Sequence, residues 1–294
     1  MKKRILVTLT LLSLIMVLLL GTMQNYLEFN ELYVFGDSLS DAGNVFRATR
    51  GMYPPNPPYF QGRYSNGPVW VENLASKLAL TPKQVSNFAC GGATTGSESS
   101  IGVPGLSVQV QSFTKAHRQV NPNALYVIWA GANDYLHGTG NITRTIANLS
   151  EAIASLATSG AKTILVGNLP DLGKIPATRN NVSSSSLSSL TREHNFNLAN
   201  SLDILKQKFG SDTQILTLDA YSLYQEAITT PAKFGFTNVT GSCLDNYAVC
   251  KSPDQFLFWD SIHPTAATHR ILAESAFLTL KTGDSLRYRP EVLK

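Results

Sequence analysis

The chain has 294 residues, of which 43% are hydrophobic and 15% charged, and its 24 basic and 20 acidic residues give a formal net charge of +4. This length fits one large α/β domain or two modest ones, and it is ample for a buried core. The composition excludes a disordered chain, a collagen-like repeat and a small disulfide-rich protein. Whether the positive charge indicates a nucleic-acid or membrane partner depends on where the basic residues lie.

The N-terminus carries three of these basic residues, Lys2, Lys3 and Arg4, followed by an apolar run over residues 5–20. A basic segment before a short apolar run predicts a secretory signal peptide, and the run is shorter than the roughly 20 residues of a membrane-spanning helix. We assign residues 1–24 to the signal, with cleavage between residues 21 and 31; an uncleaved anchor is the alternative. The protein is therefore expected to be secreted or periplasmic.

Without residues 1–24 the chain has 21 basic and 20 acidic residues, a formal charge of +1. A near-neutral mature protein has no electrostatic basis for binding nucleic acid, so we predict no such partner. Any peripheral membrane contact is expected to come from apolar loops around the functional site and not from a basic patch.

Short apolar runs alternate with helical patterns along the rest of the chain. Strands are predicted over residues 32–35, 124–129, 162–166 and 214–218, and the second of these runs is almost continuously hydrophobic, as in a strand buried on both faces. Apolar spacings of three and four predict helices over residues 142–156 and 187–209, and a third helix is expected from about Pro264 to Leu280. The alternation favours a parallel sheet covered on both faces. Residues 25–294 are expected to form a single domain, with the serine-rich stretch 183–189 as a polar linker into a helix.

The three cysteines are informative if the chain is exported. Cys243 and Cys250 close a short polar loop, which in an oxidising compartment predicts a local disulfide; two unrelated buried thiols are the alternative. Cys90, between two small residues, is interpreted as a buried packing residue. Neither a Cys-x-x-Cys pair nor a His-Glu-x-x-His motif occurs in the chain, so we predict no metal site and no cofactor.

Ser38 directly follows the first predicted strand, at the carboxyl end where open α/β sheets bind their ligands. Such a serine can act as a nucleophile if a histidine base and an orienting carboxylate lie beside it. The alternative is that Ser38, Ser40 and Asp41 only cap the next helix.

Two of the five histidines follow an aspartate at a spacing of three, His137 after Asp134 and His263 after Asp260. This spacing places the two side chains within reach of each other on a turn or helix, but it does not choose between the pairs. The other three histidines have no such partner: His194 is interpreted as a core residue of the second helix, and His117 and His269 are assigned to surface or helix-face positions.

Two further segments could supply donors for an oxyanion. The stretch of residues 87–95 contains Gly91 and Gly92, whose turn can direct backbone N–H groups outward, and Asn133 follows the buried strand that ends at Trp129. For each segment the alternative is an ordinary turn that uses Gly or Asn for its backbone freedom.

Four segments, in order along the chain, resemble the sequence blocks of the GDSL, or SGNH, hydrolase family. They are Gly36-Asp37-Ser38-Leu39, the glycine turn with Gly92, Gly131-Ala132-Asn133-Asp134, and Asp260-Ser261-Ile262-His263-Pro264. The stretch of residues 57–70 is similar to the loop after the first block in secreted bacterial lipases of this family, which include lysophospholipases and glycerophospholipid–cholesterol acyltransferases. Cys90 departs from the residue that relatives often carry.

The resemblance implies a three-layer α/β/α, flavodoxin-like fold. It implies that Ser38 is the nucleophile, that His263 and not His137 is the base, and that Asp260 orients it. The oxyanion would be bound by the N–H groups of Ser38 and Gly92 and by the Asn133 amide, and no metal or organic cofactor is required.

The function implied is that of a secreted lipolytic serine esterase that hydrolyses lysophospholipids, phospholipids or related acyl esters through an acyl-serine intermediate. One alternative is an acyltransferase that passes the acyl group to a sterol acceptor such as cholesterol, or to another alcohol. A carbohydrate deacetylase and a noncatalytic binding module on the same fold are further alternatives.

Overall fold

A computed structural model describes residues 29–97, 102–137, 141–246 and 248–283. The signal assigned to residues 1–24 lies outside these ranges. Five parallel strands form the central sheet in the order β2-β1-β3-β4-β5. They are β1 (Glu31–Gly36), β2 (Val85–Asn87), β3 (Ala124–Trp129), β4 (Thr163–Gly167) and β5 (Gln214–Leu218). The four predicted strands are confirmed, and β2, the short edge strand of this sheet, was not predicted.

Strand β3 shows why the sheet is covered on both sides. All six of its residues are buried. Leu125, Val127 and Trp129 belong to the apolar cluster on one face of the sheet, whereas Tyr126 and Ile128 belong to the cluster on the other face. Alternate side chains of a strand point to opposite faces, so its unbroken hydrophobic run fills two cores.

Helices supply the outer layers of both cores. They are α1 (Asn44–Ala48), α2 (Trp70–Lys77), α3 (Leu106–Ala116), α4 (Ala132–Leu136), α5 (Ile142–Thr158), α6 (Ser184–Phe209), α7 (Ala220–Thr229) and α8 (Ala266–Thr282). Residues of α2, α7 and α8 enter one core, and residues of α3, α5 and α6 enter the other. The strand order and the three layers confirm the flavodoxin-like α/β/α architecture.

The helix predictions are confirmed for α5, α6 and α8, with one correction. The serine-rich stretch is not a linker, because α6 already begins at Ser184. Its early turns are held by packing, since Leu187 and Leu190 lie against the small apolar cluster around Leu169 and Leu172. Among the described residues, no helix combines the length and hydrophobicity needed to cross a membrane.

Two small sheets lie between α7 and α8. Strands β6 (Asn238–Ser242) and β9 (Phe256–Phe258) pair in parallel, and β7 (Leu244–Asp245) and β8 (Ala248–Val249) form a short antiparallel pair. The β7–β8 pair lies inside the loop that Cys243 and Cys250 close, and these two cysteines form a disulfide, as predicted.

Trp70 connects the start of α2 to α8 and to the turn that carries Ser38. Its backbone N–H donates to Nδ1 of His269 (3.1 Å) and its indole N–H donates to Ser40 Oγ (3.1 Å). His269 is therefore a buried residue of the inner helix face and not a surface histidine. Burial lowers the pKa of His269 to about 3, so its ring is neutral and remains an acceptor. His194 is also fully buried, which confirms its interpretation as a core residue.

Replacing His269 with leucine should lower the free energy of unfolding by about 1–3 kcal/mol at pH 7.5, because the buried Trp70 N–H loses its acceptor. In the wild type, the unfolded chain takes up a proton below pH 6.5 that native His269 does not, so acid destabilises the native state. The variant lacks this proton uptake. The gap in the free energy of unfolding between wild type and His269→Leu should therefore shrink by about 2 kcal/mol between pH 7.5 and pH 5.

Denaturant titrations of wild type and His269→Leu at both pH values measure this gap. A gap that stays constant or widens on acidification would contradict the assignment of His269 as a buried neutral acceptor.

Candidate active site

Strand β1 ends at a glycine because the neighbouring strand leaves no room for a side chain. A Cβ on Gly36 would lie 2.1 Å from the carbonyl oxygen of Trp129. The side-chain amide of Gln109 donates to the Gly36 carbonyl (3.0 Å) and accepts from its N–H (2.9 Å). The chain then turns, with the Asp37 carbonyl accepting the N–H groups of Ser40 and Asp41. This turn presents Ser38 at the carboxyl edge of the sheet.

Ser38, His263 and Asp260 form one hydrogen-bonded row, although Ser38 and His263 are 225 residues apart in sequence. Ser38 Oγ lies 2.9 Å from His263 Nε2, and His263 Nδ1 lies 2.7 Å from Asp260 Oδ2. The second carboxylate oxygen, Oδ1, accepts the backbone N–H groups of Ile262 (2.8 Å) and His263 (2.7 Å). The structure therefore brings together the three residues that the family resemblance selected, in the order that nucleophilic catalysis requires.

The loop that carries Asp260 and His263 is held from two sides. It follows β9 and closes on itself through a bridge between Phe258 and Pro264. Ser65 Oγ donates to the Pro264 carbonyl (2.8 Å), and the backbone N–H of Ala266 donates to Asn66 Oδ1 (2.8 Å). The 59–67 segment thus sets the position of the histidine relative to the serine.

The charges around His263 favour its protonated form. Burial alone would lower the pKa of His263, but the carboxylates of Asp260 and Asp37 outweigh it and raise the pKa above 6.5. Burial would likewise raise the pKa of Asp260, and the adjacent His263 reverses this and lowers it to about 2. Asp37 has no comparable partner, so burial raises its pKa to about 7. An ionised Asp260 can thus stabilise the imidazolium that forms when His263 accepts a proton.

The predicted oxyanion donors lie at the ends of the neighbouring strands. Gly92, in the turn after β2, has a φ of +81°, which favours glycine. Asn133 begins α4 after β3, and its Nδ2 donates to the Ala93 carbonyl (2.9 Å), which leaves its second amide hydrogen free for a ligand. Within the described part of the chain, the backbone N–H groups of Ser38 and Gly92 donate to no other group. All three donors are thus available.

Asp41 connects the Ser38 turn to the glycine turn. Its Oδ1 accepts the N–H groups of Gly43 (2.7 Å) and Asn44 (2.5 Å), and its Oδ2 accepts the N–H of Gly91 (2.9 Å). Asp41 therefore does cap α1, as the alternative interpretation held, while its second oxygen also holds the glycine turn through Gly91.

The rival Asp134–His137 pair does not form a comparable site. The carboxylate of Asp134 faces Thr95, whose N–H and Oγ1 donate to it at 3.0 Å and 2.6 Å.

Cys90 is half-buried and reduced, and burial raises the pKa of its thiol to about 11. A thiol with this pKa is not a nucleophile at neutral pH.

Two tyrosines that the sequence analysis did not single out lie next to the hydrogen-bonded residues Asp260 and His263. Tyr59 Oη donates to Asp260 Oδ2 (2.8 Å), the oxygen that also contacts His263. The ring of Tyr64 lies 5.1 Å from the ring of His263. Both belong to the 57–70 stretch, whose family likeness was the only signal for them, because Tyr59 and Asp260 are 201 residues apart.

A cleft opens beside Ser38 and Asn133. Its walls are mostly aliphatic and are formed by loops and helices that follow five different strands, β1, β3, β4, β5 and β9. The lining residues include Leu39, Leu136, Leu172, Ile175, Tyr224 and Ile262. In the described ranges, no three His, Cys, Asp or Glu side chains converge to hold a metal ion. The arrangement suits attack by a serine on a carbonyl carbon whose substituent lies against an apolar wall.

Replacing Asp37 with asparagine should move the acid limb of the kcat/KM profile to lower pH. His263 must be neutral to accept the Ser38 proton, so kcat/KM falls as pH drops through the His263 pKa, which lies above 6.5. Asparagine removes one of the two carboxylates that raise this pKa, while its Oδ1 can still accept the Leu39 N–H that Asp37 accepts at 3.0 Å.

Profiles of a soluble ester between pH 5 and 9 measure the shift, with Asp203→Asn on the exposed side of α6 as control. An acid limb that is unmoved in Asp37→Asn, or that moves equally in both variants, would contradict the electrostatic assignment.

Comparisons with known proteins identify the family of the chain. Residues 32–276 match the model of the GDSL-like lipase/acylhydrolase family. The chain is 28% identical to the phosphatidylcholine-sterol acyltransferase of Aeromonas hydrophila, over 84% of this chain and 89% of that protein. It is 30% identical to the thermolabile hemolysin of Vibrio parahaemolyticus, over 84% of this chain, but it spans only 63% of that protein's length.

The fold also resembles that of an acetylxylan esterase from Geobacillus stearothermophilus. The TM-score is 0.52 at 16% identity, covering 88% of this chain and 97% of the esterase. At this identity the likeness concerns the fold alone. The family match covers most of the chain and includes Ser38, Gly92, Asn133, Asp260 and His263. The chain belongs to the GDSL lipase/acylhydrolase family and is a carboxylic ester hydrolase.

Proposed function

We propose that the protein is a secreted lipolytic serine esterase that hydrolyses acyl esters of lysophospholipids and phospholipids. The observation that carries the proposal is the 2.9 Å contact between Ser38 Oγ and His263 Nε2 at the mouth of an aliphatic cleft. Ser38, His263 and Asp260 are the proposed catalytic residues, and the N–H groups of Ser38 and Gly92 with the Asn133 amide form the proposed oxyanion hole.

In the first half of the reaction, Ser38 Oγ attacks the ester carbonyl carbon while His263 Nε2 accepts the hydroxyl proton. The negative charge that develops on the carbonyl oxygen is bound by the three oxyanion donors. As the tetrahedral intermediate collapses, the ester C–O bond breaks and His263 gives its proton to the departing alcohol, which leaves an acyl-serine. Asp260 holds Nδ1 and compensates the charge of the imidazolium.

In the second half, water replaces the alcohol. His263 accepts a proton from the water as its oxygen adds to the acyl carbon, and the proton returns to Ser38 Oγ when the fatty acid is released. Another alcohol in place of water would receive the acyl group as an ester. Whether hydrolysis or transfer dominates therefore depends on which acceptor reaches the acyl-serine.

The apolar lining of the cleft supports a lipid substrate. Eight of its eleven lining residues are aliphatic or aromatic, so an acyl chain placed there exchanges water for apolar contacts, worth about 0.8 kcal/mol for each buried CH₂ group. The relative named phosphatidylcholine-sterol acyltransferase supports a phospholipid as acyl donor and a sterol as an alternative acceptor.

Contact with a lipid surface fits the exposed side chains at the cleft. Ile262, next to His263, is 40% exposed, and Val182 is fully exposed. A second pocket is lined by Ile262 and by Asn181 and Ser183, the residues on either side of Val182. With the signal expected at residues 1–24, residues 25–294 would act as one exported domain on lipids outside the cytoplasm.

The Ser38→Ala variant should lose ester hydrolysis by about 10⁴-fold or more, because the acyl-serine cannot form. Turnover of a soluble p-nitrophenyl ester and of lysophosphatidylcholine, with Ser86→Ala on the exposed edge strand as control, measures the loss. A Ser38→Ala protein that retains full turnover would show that the nucleophile is another residue.

Product analysis on phosphatidylcholine vesicles, with and without cholesterol, separates the hydrolase from the transferase. We expect free fatty acid as the main product in both cases, with lysophospholipid consumed further. Cholesteryl ester as the main product would show that the protein acts as an acyltransferase and not as a hydrolase. The absence of any cholesteryl ester would exclude transfer to sterol. Activity on acetyl esters alone would favour a deacetylase.

A further inference from the structure

Asp134 is a buried carboxylate that the proposed reaction does not use. It is 6% exposed and lies on α4, next to Asn133. Its Oδ2 accepts the Thr95 N–H (3.0 Å), and its Oδ1 accepts Thr95 Oγ1 (2.6 Å) and Thr145 Oγ1 (3.4 Å). A buried carboxylate is costly unless its oxygens find donors, and here both oxygens are occupied.

These contacts join three separate parts of the chain. Thr95 lies in the loop after β2, Asp134 on α4 after β3, and Thr145 on α5. Thr95 Oγ1 also accepts from the Asn148 side chain on α5 (3.1 Å). The carboxylate thus holds the loop of residues 91–95 against α4 and α5. We call this segment the oxyanion loop because it carries the proposed donor Gly92.

The contacts of Asp134 lie close in sequence to two proposed oxyanion donors, Gly92 and Asn133. Thr95 follows Gly92 by three residues, and Asp134 adjoins Asn133, whose Nδ2 donates to the Ala93 carbonyl in the same loop. The Thr95–Asp134 and Ala93–Asn133 contacts join the same two segments, so together they fix both the separation and the relative orientation of these segments. Gly92 lies on one of the two segments and Asn133 on the other.

The other end of the loop is held in the same way. Gly91 N–H donates to Asp41 Oδ2, so the five residues 91–95 are suspended between two buried carboxylates. Asp41 ties the loop to the nucleophile turn, and Asp134 ties it to the asparagine.

We propose that Asp134 is a positioning residue of the oxyanion hole, which sets the separation between the Gly92 N–H and the Asn133 amide. This inference rests on the proposed function. A carboxylate is needed because Thr95 presents two donors, its N–H and its Oγ1–H, to two different oxygens. An asparagine in its place would turn its own NH₂ donor towards one of them and push the two segments apart. A misplaced donor stabilises the oxyanion less, and removal of one such donor costs about 10²–10³-fold in turnover.

The test compares Asp134→Asn and Thr95→Val with a matched control, Thr213→Val. Thr95 and Thr213 are both buried, and valine keeps their shape while removing one hydroxyl. Thr213 Oγ1 donates to the Ala161 carbonyl (2.9 Å) before β5, away from the oxyanion loop. With a soluble p-nitrophenyl ester, Asp134→Asn and Thr95→Val should lower kcat by about 10- to 100-fold with KM changed less than about twofold, whereas Thr213→Val should leave both parameters unchanged.

An alkylboronic acid gives a second readout that a purely structural role would not change. Ser38 Oγ adds to boron with loss of its proton to His263, and the tetrahedral anion that forms occupies the oxyanion hole. The inhibition constant of the boronic acid should rise in Asp134→Asn by the same factor by which kcat falls. The loss caused by Asp134→Asn should also be smaller when Asn133 is already alanine, because one of the two donors that it positions is gone.

Unfolding titrations keep the outcome unambiguous. If Asp134→Asn and Thr95→Val lower stability as Thr213→Val does, while kcat and the boronate inhibition constant stay within twofold of wild type, Asp134 is only structural and the proposal is wrong. Failure of the proposed function would look different, because wild type would not hydrolyse the ester or Ser38→Ala would retain activity.

Discussion

The burial of both faces of the β1–β3 pair is the constraint on which the site depends. Because apolar side chains fill the two cores on either side of these strands, polar groups concentrate at the strand ends. β1 and β3 are neighbours in the sheet but not in the chain, so the loops that follow them leave towards opposite layers. Ser38 and Asn133 border the crevice that results, and the Asp260–His263 loop reaches it from the far end of the chain.

Backbone N–H groups at this edge are largely arranged by carboxylates. Asp37 accepts an N–H from the Ser38 turn, Asp41 from α1 and the glycine turn, Asp134 from Thr95, and Asp260 from its own loop. Burial raises the pKa of Asp37, Asp41 and Asp134, which shows the cost of this arrangement. Of these four carboxylates, Asp260 alone hydrogen-bonds a side chain that can become a cation, so its proposed role is to stabilise the His263 imidazolium, whereas the other three hold backbone groups in place.

Much of the fold could be predicted from local sequence, because β1, β3, β4 and β5 are apolar runs and α5 and α6 carry apolar stripes. β2 escaped because its sequence, Val-Ser-Asn, is short, polar and half-exposed. For the site, spacing proposed two Asp–His pairs equally, and only the family resemblance selected His263. Residue patterns could not find the contacts of Tyr59 with Asp260 or of Thr95 with Asp134, since each joins segments that only the folded chain brings together.

The distance along the chain between Ser38 and His263 has a consequence for how the enzyme is made. In the folded chain this loop follows β9, which pairs with β6, and Pro264 and Ala266 contact Ser65 and Asn66. A growing or truncated chain that lacks its last segments therefore contains a serine without a base. The proposed catalytic pair can therefore be complete only once nearly the whole chain has been synthesised.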